Sequence, residues 1–127
     1  MIRPTFLVAE REPGAALSTR KLVLETAKFN VLTAHTSKEA AEVFAIAPKL
    51  VASLIVSSEL KGAESLVAQL KKKNPDLPVI CISPNRTAEL KGATHHVSSH
   101  EPEELVELCR ELFGDPRDFD RLADRKS

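Results

Sequence analysis

The sequence contains neither tryptophan nor tyrosine, and it has only four glycines. Nucleotide sites commonly cradle phosphates with glycine-rich loops, and a flavin site is expected to offer aromatic rings for stacking. The chain has no glycine-rich loop of that kind. These shortages argue against an enzyme or binder built around a nucleotide or flavin.

The chain also lacks net charge, because 18 Lys and Arg balance 18 Asp and Glu. Balanced charge gives no reason to expect DNA, RNA or an anionic membrane as a partner. No apolar run approaches the roughly 20 residues that span a bilayer, and the N-terminus has no signal-peptide pattern. The two cysteines, Cys81 and Cys109, lack metal-ligand spacing. We therefore expect a cytoplasmic protein with reduced thiols, and no nucleic-acid or membrane contact by this domain.

Short apolar runs alternate with amphipathic segments along the chain. Five runs are typical of buried strands: 6–9, 30–34, 51–56, 77–82 and 94–98. Helical patterns occur at 15–28, from the capping box at 36–39 to near 48, from 62 to 74, at 87–91 and at 101–113. This alternation predicts right-handed βαβ units around a parallel sheet. We expect one domain over residues 1–114 and a tail or linker over 115–127.

Four pieces of sequence occur in the order and at the intervals of one known family. They are FLVAEREP at 6–13, NPDLPVI at 74–80, GA at 92–93 followed by Val97, and EPEEL at 101–105. Together they resemble the receiver domains of response regulators over residues 5–113. The resemblance implies a flavodoxin-like (CheY-like) α/β fold, a doubly wound five-stranded parallel sheet of strand order 2-1-3-4-5. It also implies a role in two-component-type signalling through protein partners. A homodimer is one option for such a contact.

In receivers, two acids after strand one and a phosphoacceptor aspartate at the end of strand three hold Mg²⁺. The resemblance puts the acid pair on Glu10 and Arg11 and the phosphoacceptor on Ser57. One carboxylate is a poor Mg²⁺ site, and Arg11 stays protonated and repels the ion. We therefore predict no cofactor and no metal site, with Arg11 paired to Glu10 or to another local carboxylate in the metal's place.

Three further positions complete the comparison. The hydroxyl residue after strand four falls on Ser83, the aromatic switch position in strand five on His96, and the lysine after strand five on Ser99. Only Ser83 keeps its chemical character, and Ser99 removes the cation that contacts a bound phosphoryl group. The stretch from Ser83 to Gly92 is shorter than the family norm by roughly six residues, nearly two helical turns. We therefore predict a shortened helix four and a reshaped partner surface.

The histidines in and after the predicted fifth strand do not predict a metal site. His95 and His96 are neighbours in a predicted strand, so their side chains point to opposite faces of the sheet. No paired carboxylate accompanies them or the nearby His100.

The sequence favours a domain that is not an enzyme, has no catalytic residues, and acts through protein–protein contacts without phosphorylation. Two alternatives stay open. One is a response regulator that still switches with Ser57 as an altered acceptor, although a serine hydroxyl needs an adjacent base. The other is a flavodoxin-like small-ligand binder that uses the crevice at the carboxyl ends of the strands.

Overall fold

Five parallel strands form one sheet in a computed structural model that describes residues 3–11, 19–84 and 90–117. The strands are β1 (Thr5–Ala9), β2 (Asn30–Ala34), β3 (Val51–Ser57), β4 (Val79–Ser83) and β5 (His95–Ser98). The described helices are α1 (Thr19–Thr26), α2 (Ser37–Ile46), α3 (Ala63–Lys73) and α4 (Pro102–Phe113). The sheet order is β2-β1-β3-β4-β5. The predicted doubly wound fold is therefore confirmed, with strand boundaries that differ from the prediction by at most two residues.

The sheet is covered by helices on both faces, and each face has its own apolar core. Leu7 and Leu54 point to the face that α2 and α3 cover, where they meet Phe44 and other buried residues. Phe6 and Ile55, the neighbours in sequence, point to the face that α1 and α4 cover. Alternate residues of a strand face opposite sides. Burial on both sides explains why β1 and β4 are continuous apolar runs instead of alternating patterns.

The helix ends follow local chemistry where the structure describes them. α2 begins as the capping box predicts, because the Thr36 side chain accepts a hydrogen bond from the Glu39 backbone N–H at 3.0 Å. α1 ends at Thr26, two residues before the predicted end. Lys28 adopts a positive φ of 74°, which terminates the helical geometry. The predicted start of that helix lies outside the described residues.

Two other predictions also fall partly or wholly outside the described ranges. Residues 85–89 of the connection between β4 and β5 are not described, and Leu90 and Lys91 are not helical. The predicted tail is described only to Arg117. Its first residue, Asp115, lies 3.5 Å from the Arg110 guanidinium of α4. The Arg117 and Arg110 guanidinium groups lower the pKa of Asp115 to about 2.

Gly92 forms a tight turn before β5, with a φ of 89°. A Cβ atom at this position would meet Val67 Cγ1 of α3 at 2.8 Å, which is closer than real carbon atoms approach. We expect Gly92→Ala to lower the free energy of unfolding by about 2 kcal/mol, since it combines a left-handed backbone with overpacking. Urea unfolding measures the change.

A Gly92→Ala/Val67→Ala double variant separates these two causes. Removing the Val67 side chain relieves the contact but not the backbone strain, so the two substitutions should cost less together than the sum of their separate effects. Strict additivity would contradict the close approach of Gly92 to α3.

Both cysteines are free and buried. Burial raises the pKa of the Cys109 thiol to about 12, and it also raises the pKa of Cys81. Both thiols are thus weak nucleophiles and weak metal ligands at neutral pH. Separately, no helix in the described ranges has the length and apolar character that crossing a bilayer requires.

Candidate functional site

The carboxyl ends of the strands bring the predicted site residues to one edge of the sheet. The strand register aligns Ala9 of β1 with Val56 of β3, so Glu10 and Ser57 follow at the same level. Backbone hydrogen bonds continue the alignment across the edge. Ser58 donates to the carbonyl oxygen of Ile82 at 2.9 Å.

At the β4 end of the same edge, Ser99 donates a backbone hydrogen bond to the carbonyl oxygen of Ser83, also at 2.9 Å. Glu10, Ser57, Ser83 and Ser99 therefore lie along one edge, as the resemblance implies.

Glu10 is a buried carboxylate that forms an ion pair with a partly exposed arginine. Glu10 itself is 2% exposed, and its carboxylate accepts a hydrogen bond from Arg20 Nε of α1. Burying a carboxylate is costly unless a cation and hydrogen bonds compensate the lost water. Arg20 supplies that cation.

Of the two pairings predicted for Arg11, the one with Glu10 is therefore wrong. Arg11 is exposed, and its side chain forms no ion pair with any residue that the structure describes. Glu10 and Arg20 are ten residues apart and come together because α1 packs beside the end of β1. The sequence does not point to Arg20, because no local motif connects it to the strand edge.

Ser57 ends β3 and is half-buried. Its hydroxyl oxygen accepts a hydrogen bond from the Glu59 backbone N–H at 3.2 Å, which fixes the turn that leads to α3. Within the described residues, no hydrogen bond connects this hydroxyl to a histidine. His35 instead donates from Nδ1 to the carbonyl oxygen of Glu10 at 3.3 Å. The base that a nucleophilic serine requires is thus not bonded to Ser57 in the described part of the chain.

The positions equivalent to the switch and the lysine have different environments. Ser83 is buried, and Ser99 is half-buried beside it. His96 aligns with Cys81 and not with Ser83, so it lies two residues back from the strand edge. It is exposed, and its Nε2 accepts a long hydrogen bond of 3.5 Å from the Leu90 backbone. His96 is therefore set back from Glu10 and Ser57.

Among residues 3–11, 19–84 and 90–117, no group of three or more His, Cys, Asp or Glu side chains is arranged to hold an ion. Adjacent residues of β5 face opposite sides of the sheet, so His95 and His96 project in opposite directions.

Comparison with family models and with curated proteins gave no match. Solved structures do match. A response regulator receiver domain protein from Clostridium thermocellum has a TM-score of 0.73 and 19% identity, over 91% of this chain and 98% of that one. The response regulator TrrA from Thermotoga maritima, solved in complex with Mg²⁺ and BeF, has a TM-score of 0.69 and 22% identity, over 87% of this chain and 99% of its own.

The non-phosphorylated HemR receiver domain from Leptospira biflexa has a TM-score of 0.67 and 25% identity. That match covers 85% of this chain and 93% of the HemR domain. The chain therefore has the CheY-like fold of response regulator receiver domains.

Proposed function

We propose that the chain is a receiver-like signalling domain of a two-component-type response regulator that acts through protein–protein contacts without phosphorylation. The observation that carries the proposal is the ion pair between the buried Glu10 carboxylate and the partly exposed Arg20 at the carboxyl edge of the sheet. The receiver fold supports this class of function by analogy, and the altered site residues distinguish this chain within the class.

The first argument concerns Mg²⁺, which takes near-ideal octahedral oxygen coordination. At this edge Glu10 is the single carboxylate in a position equivalent to the receiver acids, and Arg20 already neutralises it. Arg11 adds a second guanidinium next in sequence. These residues do not fit a Mg²⁺ ion. We therefore propose that the site requires neither this metal nor another cofactor.

The second argument concerns the phosphoryl group. Ser57 has no carboxylate with which to form an acyl phosphate, and its hydroxyl oxygen is engaged by the Glu59 backbone. Ser99 replaces the lysine that would contact the transferred group. Acceptor, metal ligands and counter-cation are therefore all altered together, which supports a binding module and not an enzyme.

The direct test is phosphorylation in vitro. After incubation with acetyl phosphate and Mg²⁺, we expect the intact mass of the chain to stay unchanged. A receiver domain that retains its aspartate, treated in parallel, provides the positive control. A stoichiometric added phosphoryl group on this chain would contradict the proposal.

A Ser57→Ala variant then decides between two interpretations of a positive result. If the variant no longer gains the group, Ser57 is an altered acceptor and the chain is a switching response regulator. If the variant still gains it, the acceptor lies elsewhere. Either result would mean that the chain is phosphorylated, and the proposal of signalling without phosphorylation would be abandoned.

A further inference from the structure

A cavity of about 550 Å³ lies beside the carboxyl edge, between the turns that follow β2 and β3. Its walls include Arg11, His35, Lys38, Glu59 and Lys61. This volume is in the range of sites for small organic ligands. Ser57, Ser83 and Ser99 do not line the cavity.

The cavity carries concentrated positive charge. Three cationic side chains and one carboxylate line it, a formal balance of three minus one, or +2 with His35 neutral. The whole chain has a formal charge of zero. Arg11, Lys38 and Lys61 form no ion pair with any residue in the described ranges. A concave surface with uncompensated charge of one sign focuses the field and attracts counter-ions.

The backbone around the cavity is held in place before any ligand arrives. The Ser37 hydroxyl donates to the Lys61 carbonyl oxygen at 2.5 Å, which joins the first residue of α2 to the turn before α3. His35 is held by its hydrogen bond to the Glu10 carbonyl oxygen. Side chains on such fixed segments lose less conformational freedom on binding.

We propose that this cavity binds a small phosphorylated polyol, such as a sugar phosphate, as a ligand separate from the phosphoacceptor position. The guanidinium of Arg11 and the ammonium groups of Lys38 and Lys61 suit the oxygens of a dianionic phosphomonoester. Glu59 is the complementary acceptor for a hydroxyl of the sugar.

The lining also favours a sugar over an aromatic base. Within the described residues, His35 contributes the one aromatic ring of the cavity wall, and no Phe lies there. Arg11, which disfavours Mg²⁺ at the edge, favours an anion in this cavity. The inference does not depend on the absence of phosphorylation at Ser57.

The experiment titrates the full chain at low salt with ribose 5-phosphate, inorganic phosphate or unphosphorylated ribose. Binding is measured by calorimetry and by changes in amide NMR shifts. We expect saturable binding of ribose 5-phosphate, weaker binding of inorganic phosphate and no binding of ribose. Lys38→Gln/Lys61→Gln should weaken ribose 5-phosphate binding at least about tenfold, because two charged contacts are lost.

The matched control is Lys49→Gln/Lys72→Gln, which removes the same charge from exposed positions outside the cavity. It should bind like the wild type. Equal weakening in both double variants would mean non-specific charge attraction and would overturn the proposal. Absence of saturable binding to the wild type, or equal binding of ribose, would overturn it as well.

A second variant keeps the test independent of those lysines. Glu59→Gln removes the one acidic group of the cavity, so binding of inorganic phosphate should strengthen several-fold while the advantage of ribose 5-phosphate over phosphate shrinks. If Glu59→Gln leaves both affinities unchanged, the ligand does not occupy this cavity and the proposal fails.

Discussion

Replacing Arg20 by methionine should lower the free energy of unfolding by about 2–3 kcal/mol at neutral pH. The substitution keeps most of the apolar stem and removes the guanidinium that pairs with the buried Glu10 carboxylate. Removing one partner of a fully buried pair typically costs about 3–5 kcal/mol. Arg20 retains 25% exposure, so water reduces the expected loss. Urea unfolding measures the difference.

A double-mutant cycle attributes the loss to the pair itself. Glu10→Gln removes the charge of the carboxylate, so the double variant should be clearly more stable than the sum of the two single losses predicts. Independent, additive effects would show that Arg20 does not compensate Glu10. That outcome would also remove the main observation behind a phosphorylation-independent site.

Lys21→Met provides the matched control on the same helix. The Lys21 side chain is about as long as that of Arg20 and is 50% exposed. Its Nζ lies 3.7 Å from Oε1 of Glu25, one turn along α1, in an exposed ion pair. An exposed pair of this type contributes about 0.5 kcal/mol or less. A loss comparable to that of Arg20→Met would point to a general effect of helix charge.

Truncating Phe44 to alanine should lower the free energy of unfolding by about 3–5 kcal/mol. Phe44 lies on α2, is fully buried, and packs in the core cluster that includes Leu7 and Leu54 of the sheet. The loss combines the transfer free energy of the ring with the cost of the cavity that remains. Because domains are stable by about 5–15 kcal/mol, this single change removes a large share.

Ile46→Ala on the same helix is the control for Phe44→Ala. Ile46 is two residues further along α2 and is 84% exposed. Its truncation should change the free energy of unfolding by less than about 0.5 kcal/mol. Chemical denaturation of both variants under one condition makes the comparison. Similar losses for the two would contradict the burial of Phe44 against the sheet.

The secondary structure was largely predictable because local pattern and final burial agree in this chain. Buried strands require apolar side chains on both faces, so their runs stand out in the sequence. In α4, Leu105, Cys109 and Leu112 recur at helical spacing, and Leu105 and Cys109 are buried. Leu112 lies near the end of the helix and is 39% exposed.

The C-terminal end of α1 was less predictable. Lys28 adopts a left-handed backbone that its residue type does not signal. The backbone N–H of Phe29 donates to the carbonyl oxygen of Leu24 at 3.0 Å, so the turn closes back onto α1 before β2 begins. Such an ending depends on where β2 must start, which lies beyond the reach of a short sequence window.

The identities of the altered site residues were determined by the sequence alone. Ser57 at the strand end, Arg11 after Glu10 and Ser99 after strand five state which chemical groups are available, whatever the fold does with them. Their placement along one edge followed from the parallel order of the strands, because the carboxyl ends of parallel strands meet on one side.

Only the tertiary structure decided which charges meet. It paired Glu10 with Arg20 instead of Arg11, and it placed Arg11, Lys38 and Lys61 around one cavity. The physical reason is that the pairing of charges depends on distances between elements far apart in sequence. Those distances exist only once β1 is held between β2 and β3 and the helices pack on the sheet.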